Sequence, residues 1–244
     1  MDIQPENTPQ GSKTFVWLIV GAGCTLALCF FLALAGLGLY GVYVYRSMPI
    51  PIDTDVIPPV GDYVHSQPNG ASLGNPDAPV KVVLYSDFQC PFCKQFWEEA
   101  EGKIFQEYVA TGKAYFTYRS MGEFLGPESQ TSAEAAYCAG DQEKFWEYHD
   151  LLFANQGAEN SGAFSDARLK RFAEYLNLDQ AAFDECLSSG KYAKRVQQDR
   201  TDASVMDTNS TPTVFINNEK IVGAQDYETY KDAIEQALAE EGGG

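Results

Sequence analysis

The chain has 244 residues, and 45% of them are hydrophobic, which suffices for one sizeable folded domain with a smaller appendage. Its 34 acidic side chains outnumber 17 basic ones, and the formal net charge is -17. We expect no nucleic-acid partner, because binding to phosphates requires clustered Lys and Arg side chains.

The first predicted element is a transmembrane helix over residues 15–45. These 31 positions contain no charged side chain, and a bilayer core requires about 20 apolar helical residues. A cleaved signal peptide is the alternative, but its apolar region usually has only about 7–15 residues before a small-x-small cleavage site. The one candidate for such a site, Ala33–Ala35, is followed by further apolar sequence, so we predict an uncleaved membrane anchor.

Positive charges near the ends of this segment predict its orientation. Lys13 and the amino terminus precede the segment and Arg46 follows it, which favours a cytoplasmic tail at residues 1–14. The main domain is then extracytoplasmic, in a single-pass protein of the cell membrane. Residues 46–72 contain five prolines and predict an extended linker. We interpret His65, which lies in this linker, as solvated.

Residues 73–125 predict a strand, a helix and a second strand. The segment VKVVLYSDF, which begins at Val80, is rich in Val and Tyr, and KAYFTYRSM at Lys113–Met121 alternates aromatic and polar residues. Between them, KQFWEEAEGKIFQEYV has its apolar residues spaced along one helix face. Cys90 and Cys93 therefore lie between the first strand and the helix.

The rest of the chain predicts a helical block followed by a second αβ segment. Residues 126–206 contain several short helical patterns that begin at capping residues such as Asp and end at glycines. In residues 207–244, TPTVFINNEKIVG predicts a hairpin through Asn217 and Asn218, and a final helix follows over Tyr227–Glu240. This order predicts an α/β thioredoxin fold with an inserted α-helical domain.

Two cysteines on the predicted helical block are candidates for a structural disulfide. If Cys90 and Cys93 pair locally, Cys138 and Cys186 remain outside the apolar segment. An even number of cysteines on the oxidising side of a membrane favours a disulfide between them. The alternative is two unrelated buried thiols.

The pair Cys90 and Cys93 predicts a redox-active dithiol and no metal site. A structural zinc ion normally has four ligands, whereas the sequence has no second CxxC motif and its only histidines are His65 and His149. A cysteine at a helix N-terminus after a strand meets unpaired N–H groups that stabilise its thiolate, and Pro91 suits the first helical turn. We expect Cys90 to be the nucleophile and Cys93 to resolve mixed disulfides, with no cofactor beyond their own disulfide.

Three segments together resemble the DsbA-like thiol–disulfide oxidoreductases, most closely their membrane-anchored bacterial branch: YSDFQCPFCKQF, AAYCAGDQEKFWEYHDLLFANQ and TPTVFINN. The resemblance covers roughly residues 72–240. It implies an enzyme that introduces disulfides into reduced or unfolded exported proteins. It further implies a quinone-linked membrane oxidase as the partner that restores the disulfide.

The resemblance also assigns residues around the cysteine pair. It implies a cis proline at Pro212, which leaves the backbone of Thr211 free to pair with an extended substrate. Phe92 departs from the best-known members, which have histidine there, so strong oxidising power does not carry over directly. From its position, Asp87 either assists proton transfer beside Cys93 or is a surface carboxylate at the end of a strand. We interpret His149 as a packed helix residue.

Two other functions remain open from the sequence. The same dithiol could act as a disulfide reductase or isomerase, although isomerases of this superfamily usually carry a dimerisation domain for which the linker looks too short. The chain could instead be a membrane-tethered binding or chaperone module whose CxxC motif only stabilises a turn. The reduction potential and the trapping of mixed disulfides distinguish these hypotheses.

Overall fold

The computed structural model describes residues 65–243, which build a five-stranded mixed sheet in the order β1-β3-β2-β4-β5. Strands β2 and β3 are parallel, whereas β1 pairs antiparallel with β3, β4 with β2, and β5 with β4. The strands are β1 (Ser72–Leu73), β2 (Val80–Ser86), β3 (Ala114–Ser120), β4 (Thr213–Ile216) and β5 (Glu219–Val222).

A long helix, α1, connects the parallel strands β2 and β3. It covers residues 91–109 and alternates α-helical and π-helical segments, namely Pro91–Phe96, Trp97–Glu101, Gly102–Ile104 and Phe105–Val109. Five helices then lie between β3 and β4, and one follows β5. They are α2 (Pro127–Gly140), α3 (Phe145–Ala154), α4 (Asp166–Tyr175), α5 (Gln180–Ser188), α6 (Ala193–Val205) and α7 (Tyr227–Gly242). This is the thioredoxin arrangement with a helical insertion that the sequence predicts.

The alternation of side chains along β2 separates two apolar regions. Val82 and Leu84 belong to the main core with residues of α1, α3 and α7, whereas Tyr85 on the opposite face packs with Ala203 of α6. Both faces of β2 are therefore covered, which explains its run of apolar residues. The carboxyl end of this central strand leads directly to the cysteine pair.

A disulfide joins Cys138 on α2 to Cys186 on α5, across a sequence separation of 48 residues. It lies wholly within the helical insertion. Cys90 and Cys93, by contrast, are free thiols.

His65 lies at the start of the described residues and is not solvated, so the sequence-based interpretation was wrong. Its side chain is 11% exposed, and its Nε2 lies 3.1 Å from the Asp150 carboxylate. Its ring also packs against Phe105 and Trp146. The attraction of a buried carboxylate and two aromatic rings explains the burial of an otherwise polar linker residue.

The predicted cytoplasmic tail and transmembrane helix, residues 1–14 and 15–45, lie outside the described residues, as does most of the predicted linker. Within residues 65–243, the structure contains no helix whose length and apolar character would let it cross a membrane.

Candidate active site

Cys90 lies at the junction of β2 and α1, immediately before the first residue of the helix. Its backbone is extended, with φ -75° and ψ 121°, and Pro91 begins the helix, where a missing N–H leaves no intrahelical partner unsatisfied. The Cys90 carbonyl accepts hydrogen bonds from the N–H groups of Cys93 (3.1 Å) and Lys94 (3.1 Å). The Cys90 side chain consequently lies beside the first turn of α1.

The surroundings of Cys90 favour its thiolate. The pKa of Cys90 is lowered to about 6, chiefly by a hydrogen bond with the Cys93 thiol, and further by Thr211 and the N–H groups of Cys93 and Phe92, although burial opposes this. With a pKa near 6, thiolate exceeds thiol by about ten to one at pH 7. Cys90 is therefore the more acidic thiol of the pair.

Cys93 has the opposite character. It is 1% exposed, and burial, followed by the neighbouring Cys90, raises the pKa of its thiol well above the ordinary value. The backbone N–H of Asp87 donates to its sulfur over 3.5 Å. The pair thus consists of a Cys90 sulfur with stabilised charge and a Cys93 sulfur that remains protonated, and both residues are buried, with Cys90 at 5% exposure.

Thr211, which precedes Pro212, lies against Cys90, although the two residues are 121 positions apart in the sequence. The Thr211–Pro212 peptide bond is cis, and the Cys90 thiol donates to the Thr211 carbonyl over 3.5 Å. The Thr211 hydroxyl lies near enough to lower the pKa of Cys90, yet it makes no hydrogen bond of ordinary geometry within residues 65–243. On the outer side, Pro91 is exposed and Phe92 is 60% exposed.

Asp87 is buried, which overturns its interpretation as a surface carboxylate. It is 2% exposed, its Oδ1 accepts the N–H of Gln89 (2.8 Å), and its Oδ2 accepts the N–H of Leu125 (3.3 Å). Burial raises the pKa of Asp87 to about 6, although the Gln89 N–H opposes the rise. The carboxyl therefore titrates close to neutrality in the loop that precedes Cys90.

Sequence reasoning missed two glutamines that contact this loop. Gln156, just after α3, donates from Nε2 to the carbonyls of Phe88 (2.6 Å) and Cys90 (3.0 Å). Gln89, in the loop itself, donates to Ser129 Oγ over 2.8 Å. The only indications in the sequence were the polar residue Gln89 directly before the CxxC motif and the polar residue Gln156 at the end of the FWEYHDLLFANQ segment.

A second group of titratable side chains is buried beside aromatic residues of the core. Potential ligand atoms of Glu101, His149 and Asp150 fall within 4.8 Å of one another. The Asp150 carboxylate, however, is already contacted by Trp97 Nε1 (2.9 Å), His149 Nδ1 (3.0 Å) and His65 Nε2 (3.1 Å). His149 is fully buried among aromatic rings, so its interpretation as a packed residue is confirmed, and we assign no metal to this group.

Cys90 lies immediately before a helix, after a strand and a short loop, Cys93 is buried one turn further on, and the Thr211 residue that contacts Cys90 precedes a cis proline. This arrangement is that of a thiol–disulfide oxidoreductase of the thioredoxin fold. A family model described as "Thioredoxin" matches residues 66–236. The chain belongs to the thioredoxin family, and within it to the DsbA-like thiol–disulfide oxidoreductases.

Individual relatives agree with this assignment. The crystal structure of oxidised BdbD from Bacillus subtilis has a TM-score of 0.65 and 28% identity, covering 73% of this chain and 100% of that chain. Disulfide bond formation protein D of Bacillus subtilis (strain 168) is 29% identical over 169 residues, which are 68% of this chain and 76% of the relative.

A third relative is the Na(+)/H(+) antiporter NhaA 1 of Salinispora arenicola, which is 37% identical over 166 residues. The match covers 68% of this chain but only 24% of the antiporter. The chain thus spans about a quarter of the length of this curated relative.

Proposed function

We propose that this oxidoreductase introduces disulfides into exported proteins through the redox pair Cys90 and Cys93. The observation that carries the proposal is the placement of the pair: Cys90 lies at the start of α1 against the Thr211 carbonyl, and Cys93 is buried one turn further on. This placement lowers the pKa of Cys90 and raises the pKa of Cys93. Stabilising the Cys90 thiolate stabilises the reduced form of the enzyme. A dithiol whose reduced form is stabilised has a disulfide that oxidises other thiols readily.

The reaction begins with the enzyme disulfide and a reduced substrate. A substrate thiolate attacks Cys90 Sγ, the Cys90–Cys93 bond breaks, and its electron pair passes to Cys93, which takes up a proton. A second substrate thiolate then attacks the substrate sulfur of the mixed disulfide and releases Cys90 as a thiolate. The substrate has lost two electrons and gained a disulfide, and the enzyme holds both electrons as a dithiol.

Neighbouring residues have distinct roles in this proposal. The backbone at Thr211, beside Pro212, pairs with an extended substrate segment next to Cys90, and the exposed Pro91 and Phe92 form the outer side of that contact. Asp87 exchanges a proton with the Cys93 sulfur, a role that its burial and its pKa of about 6 support. Replacing Asp87 by Asn should slow the first step, in which the Cys90–Cys93 bond breaks and Cys93 takes up a proton, as followed by rapid acid quenching.

The proposal places the catalytic domain outside the cytoplasm. The membrane segment at residues 15–45 anchors it, reduced exported proteins are its substrates, and a quinone-linked membrane oxidase accepts its two electrons. Sodium–proton exchange is not part of the proposal, because the match to the antiporter covers only 24% of that protein.

Two measurements test the function. In the first, the Cys93→Ala variant is expressed in cells and alkylated extracts are examined for mixed disulfides with exported proteins, with Cys90→Ala as the control. Adducts that appear in Cys93→Ala and are absent from Cys90→Ala support the enzyme. Their absence from both variants would favour a binding module with a structural CxxC motif.

The second measurement is the reduction potential of the dithiol against glutathione. A value near that of DsbA, about -120 mV, supports an oxidase, whereas a value near that of thioredoxin, about -270 mV, supports a reductase. The reductase is the second candidate because Phe92 provides no imidazole to stabilise the Cys90 thiolate. Oxidation of reduced ribonuclease A by the purified enzyme checks the direction independently.

A further inference from the structure

The helical insertion contacts the loop that carries Cys90 through the side-chain amide of Gln156. This amide donates to two carbonyls at once, those of Phe88 (2.6 Å) and Cys90 (3.0 Å). The Cys90 carbonyl already accepts the N–H groups of Cys93 and Lys94 within α1. The Cys90 carbonyl therefore has hydrogen-bond donors without Gln156. The additional hydrogen bond from Gln156 instead restricts the orientation of this peptide group.

The two contacts fix the direction of the chain on either side of Cys90. The bond to Phe88 orients the peptide plane before Gln89, and the bond to Cys90 orients the plane before Pro91. The plane between them is held by the Cys90 N–H, which donates to the Asp87 carbonyl over 3.0 Å. With three consecutive planar peptide groups held, the backbone dihedrals of Cys90, and with them the direction of its side chain, have little freedom.

The segment that carries Gln156 is itself held against the same loop. The Asn160 N–H donates to Gln89 Oε1 over 2.6 Å, and Asn160 Nδ2 donates to the Leu125 carbonyl over 2.7 Å. The Glu128 carboxylate accepts the N–H of Gly162 over 2.7 Å. Gln156 thus belongs to a network of fixed groups, which a residue needs in order to position another.

We propose that Gln156 is a positioning residue of the redox pair, which holds the Cys90 sulfur within reach of the N–H groups at the start of α1. The proposal rests on the function proposed above, since it concerns the same sulfur. The helical insertion then contributes directly to the oxidising power of the dithiol, because the N–H groups of Phe92 and Cys93 stabilise the thiolate only when the sulfur faces them. Gln156 itself does not contact the reacting sulfur atoms.

The test uses Gln156→Leu, which keeps the size of the side chain and removes the donor. We expect the midpoint of the Cys90 titration, followed by thiolate absorbance at 240 nm, to rise by about half a unit to one unit, a threefold to tenfold loss of acidity. A threefold to tenfold change in the equilibrium with glutathione would lower the reduction potential by about 15–30 mV.

Gln142→Leu is the matched control. Gln142 likewise makes two hydrogen bonds through its side-chain amide, to the carbonyl and the N–H of Asp179, but both lie within the insertion. Its loss should lower the stability of the oxidised and reduced forms equally and leave the Cys90 titration unchanged. If Gln156→Leu behaves in the same way as this control, Gln156 is merely structural and the proposal is wrong.

A second variant covers the case in which Gln156→Leu does not fold. Gln156→Glu keeps the shape of the side chain but places a carboxylate against the two carbonyls, which repel it, so the titration midpoint should rise at least as much. An unchanged midpoint would also refute the proposal. The Cys90 titration and the reduction potential need no substrate, so they test the role of Gln156 separately from the proposed function. If the parent protein had a reduction potential near that of thioredoxin, the proposed oxidase function would be wrong, but the comparison of the Gln156 variants with the parent would still hold.

Discussion

Removing the thiol of Cys93 should make Cys90 a much weaker acid. The hydrogen bond from Cys93 is the largest of the contributions that lower the pKa of Cys90 to about 6. A hydrogen bond to a charged group contributes about 1.5–3 kcal/mol, which corresponds to a pKa change of about one to two units. We therefore expect a midpoint of about 7–8 in Cys93→Ala, so that at pH 7 half or less of Cys90 is thiolate.

The assay is the absorbance of the thiolate at 240 nm as a function of pH, together with the rate of alkylation by iodoacetamide. Cys93→Ser is the control, because its hydroxyl can still donate to the thiolate, and its midpoint should stay closer to that of the parent. The reasoning fails if Cys93→Ala titrates within about 0.3 units of the parent, a difference worth only about 0.4 kcal/mol. A parent midpoint near 9 would contradict the assigned thiolate stabilisation altogether.

Three further variants test other parts of the structure. Burial and the nearby Asp150 raise the pKa of Glu101 well above its ordinary value, so the folded protein retains a proton that the unfolded chain loses above about pH 4.3. The free energy of unfolding should therefore fall with rising pH, by up to about 1.4 kcal/mol per pH unit, until the folded pKa is reached. Urea unfolding of Glu101→Gln at pH 5 and pH 8 should lack this fall, and an equal fall in parent and variant would contradict the prediction. Replacing both Cys138 and Cys186 by Ala should lower the free energy of unfolding by about 4 kcal/mol, because the disulfide restricts the unfolded chain across a separation of 48 residues. A loss of less than about 1 kcal/mol in urea unfolding would show that this restriction of the unfolded chain does not stabilise the protein. Phe92→His should lower the midpoint of Cys90 by about one unit through a nearby imidazolium, and a midpoint unchanged at 240 nm would show that the exposed position 92 does not act on the thiolate.

Local sequence patterns predicted the elements that place the active site. The strand from Val80 is a short apolar run rich in Val and Tyr, and the helix after Cys93 has its apolar residues spaced along one face, and both patterns are visible in neighbouring residues. The structure gives that strand as Val80–Ser86 and starts the helix at Pro91. The insertion after β3 was likewise recognisable from its short helical patterns. Its helices α4 and α5 follow the capping residues Ser165 and Asp179, whereas α3 follows Lys144 and α6 follows Tyr192.

The sequence did not decide how the side chains around the cysteine pair behave. Asp87 had two interpretations, and only the packing of Leu125 and Gln89 around it established its burial. His65 was misinterpreted because its partner, Asp150, lies far along the chain. The position of Gln156 in the sequence gave no indication of its partner, since its contact with Cys90 joins residues 66 positions apart.

The sequence by itself therefore determined the order of strands and helices, the presence of a CxxC pair at a strand–helix junction and the cysteines available for a second disulfide. These features depend on residues that are neighbours along the chain or on the number and spacing of one residue type. Only the tertiary structure decided which carboxyl groups are buried, which amide groups hold the redox loop, and that the Cys93 thiol itself contributes most to the acidity of Cys90. Desolvation and hydrogen bonding set these properties, and both come from segments that are distant in sequence and meet only when the chain folds.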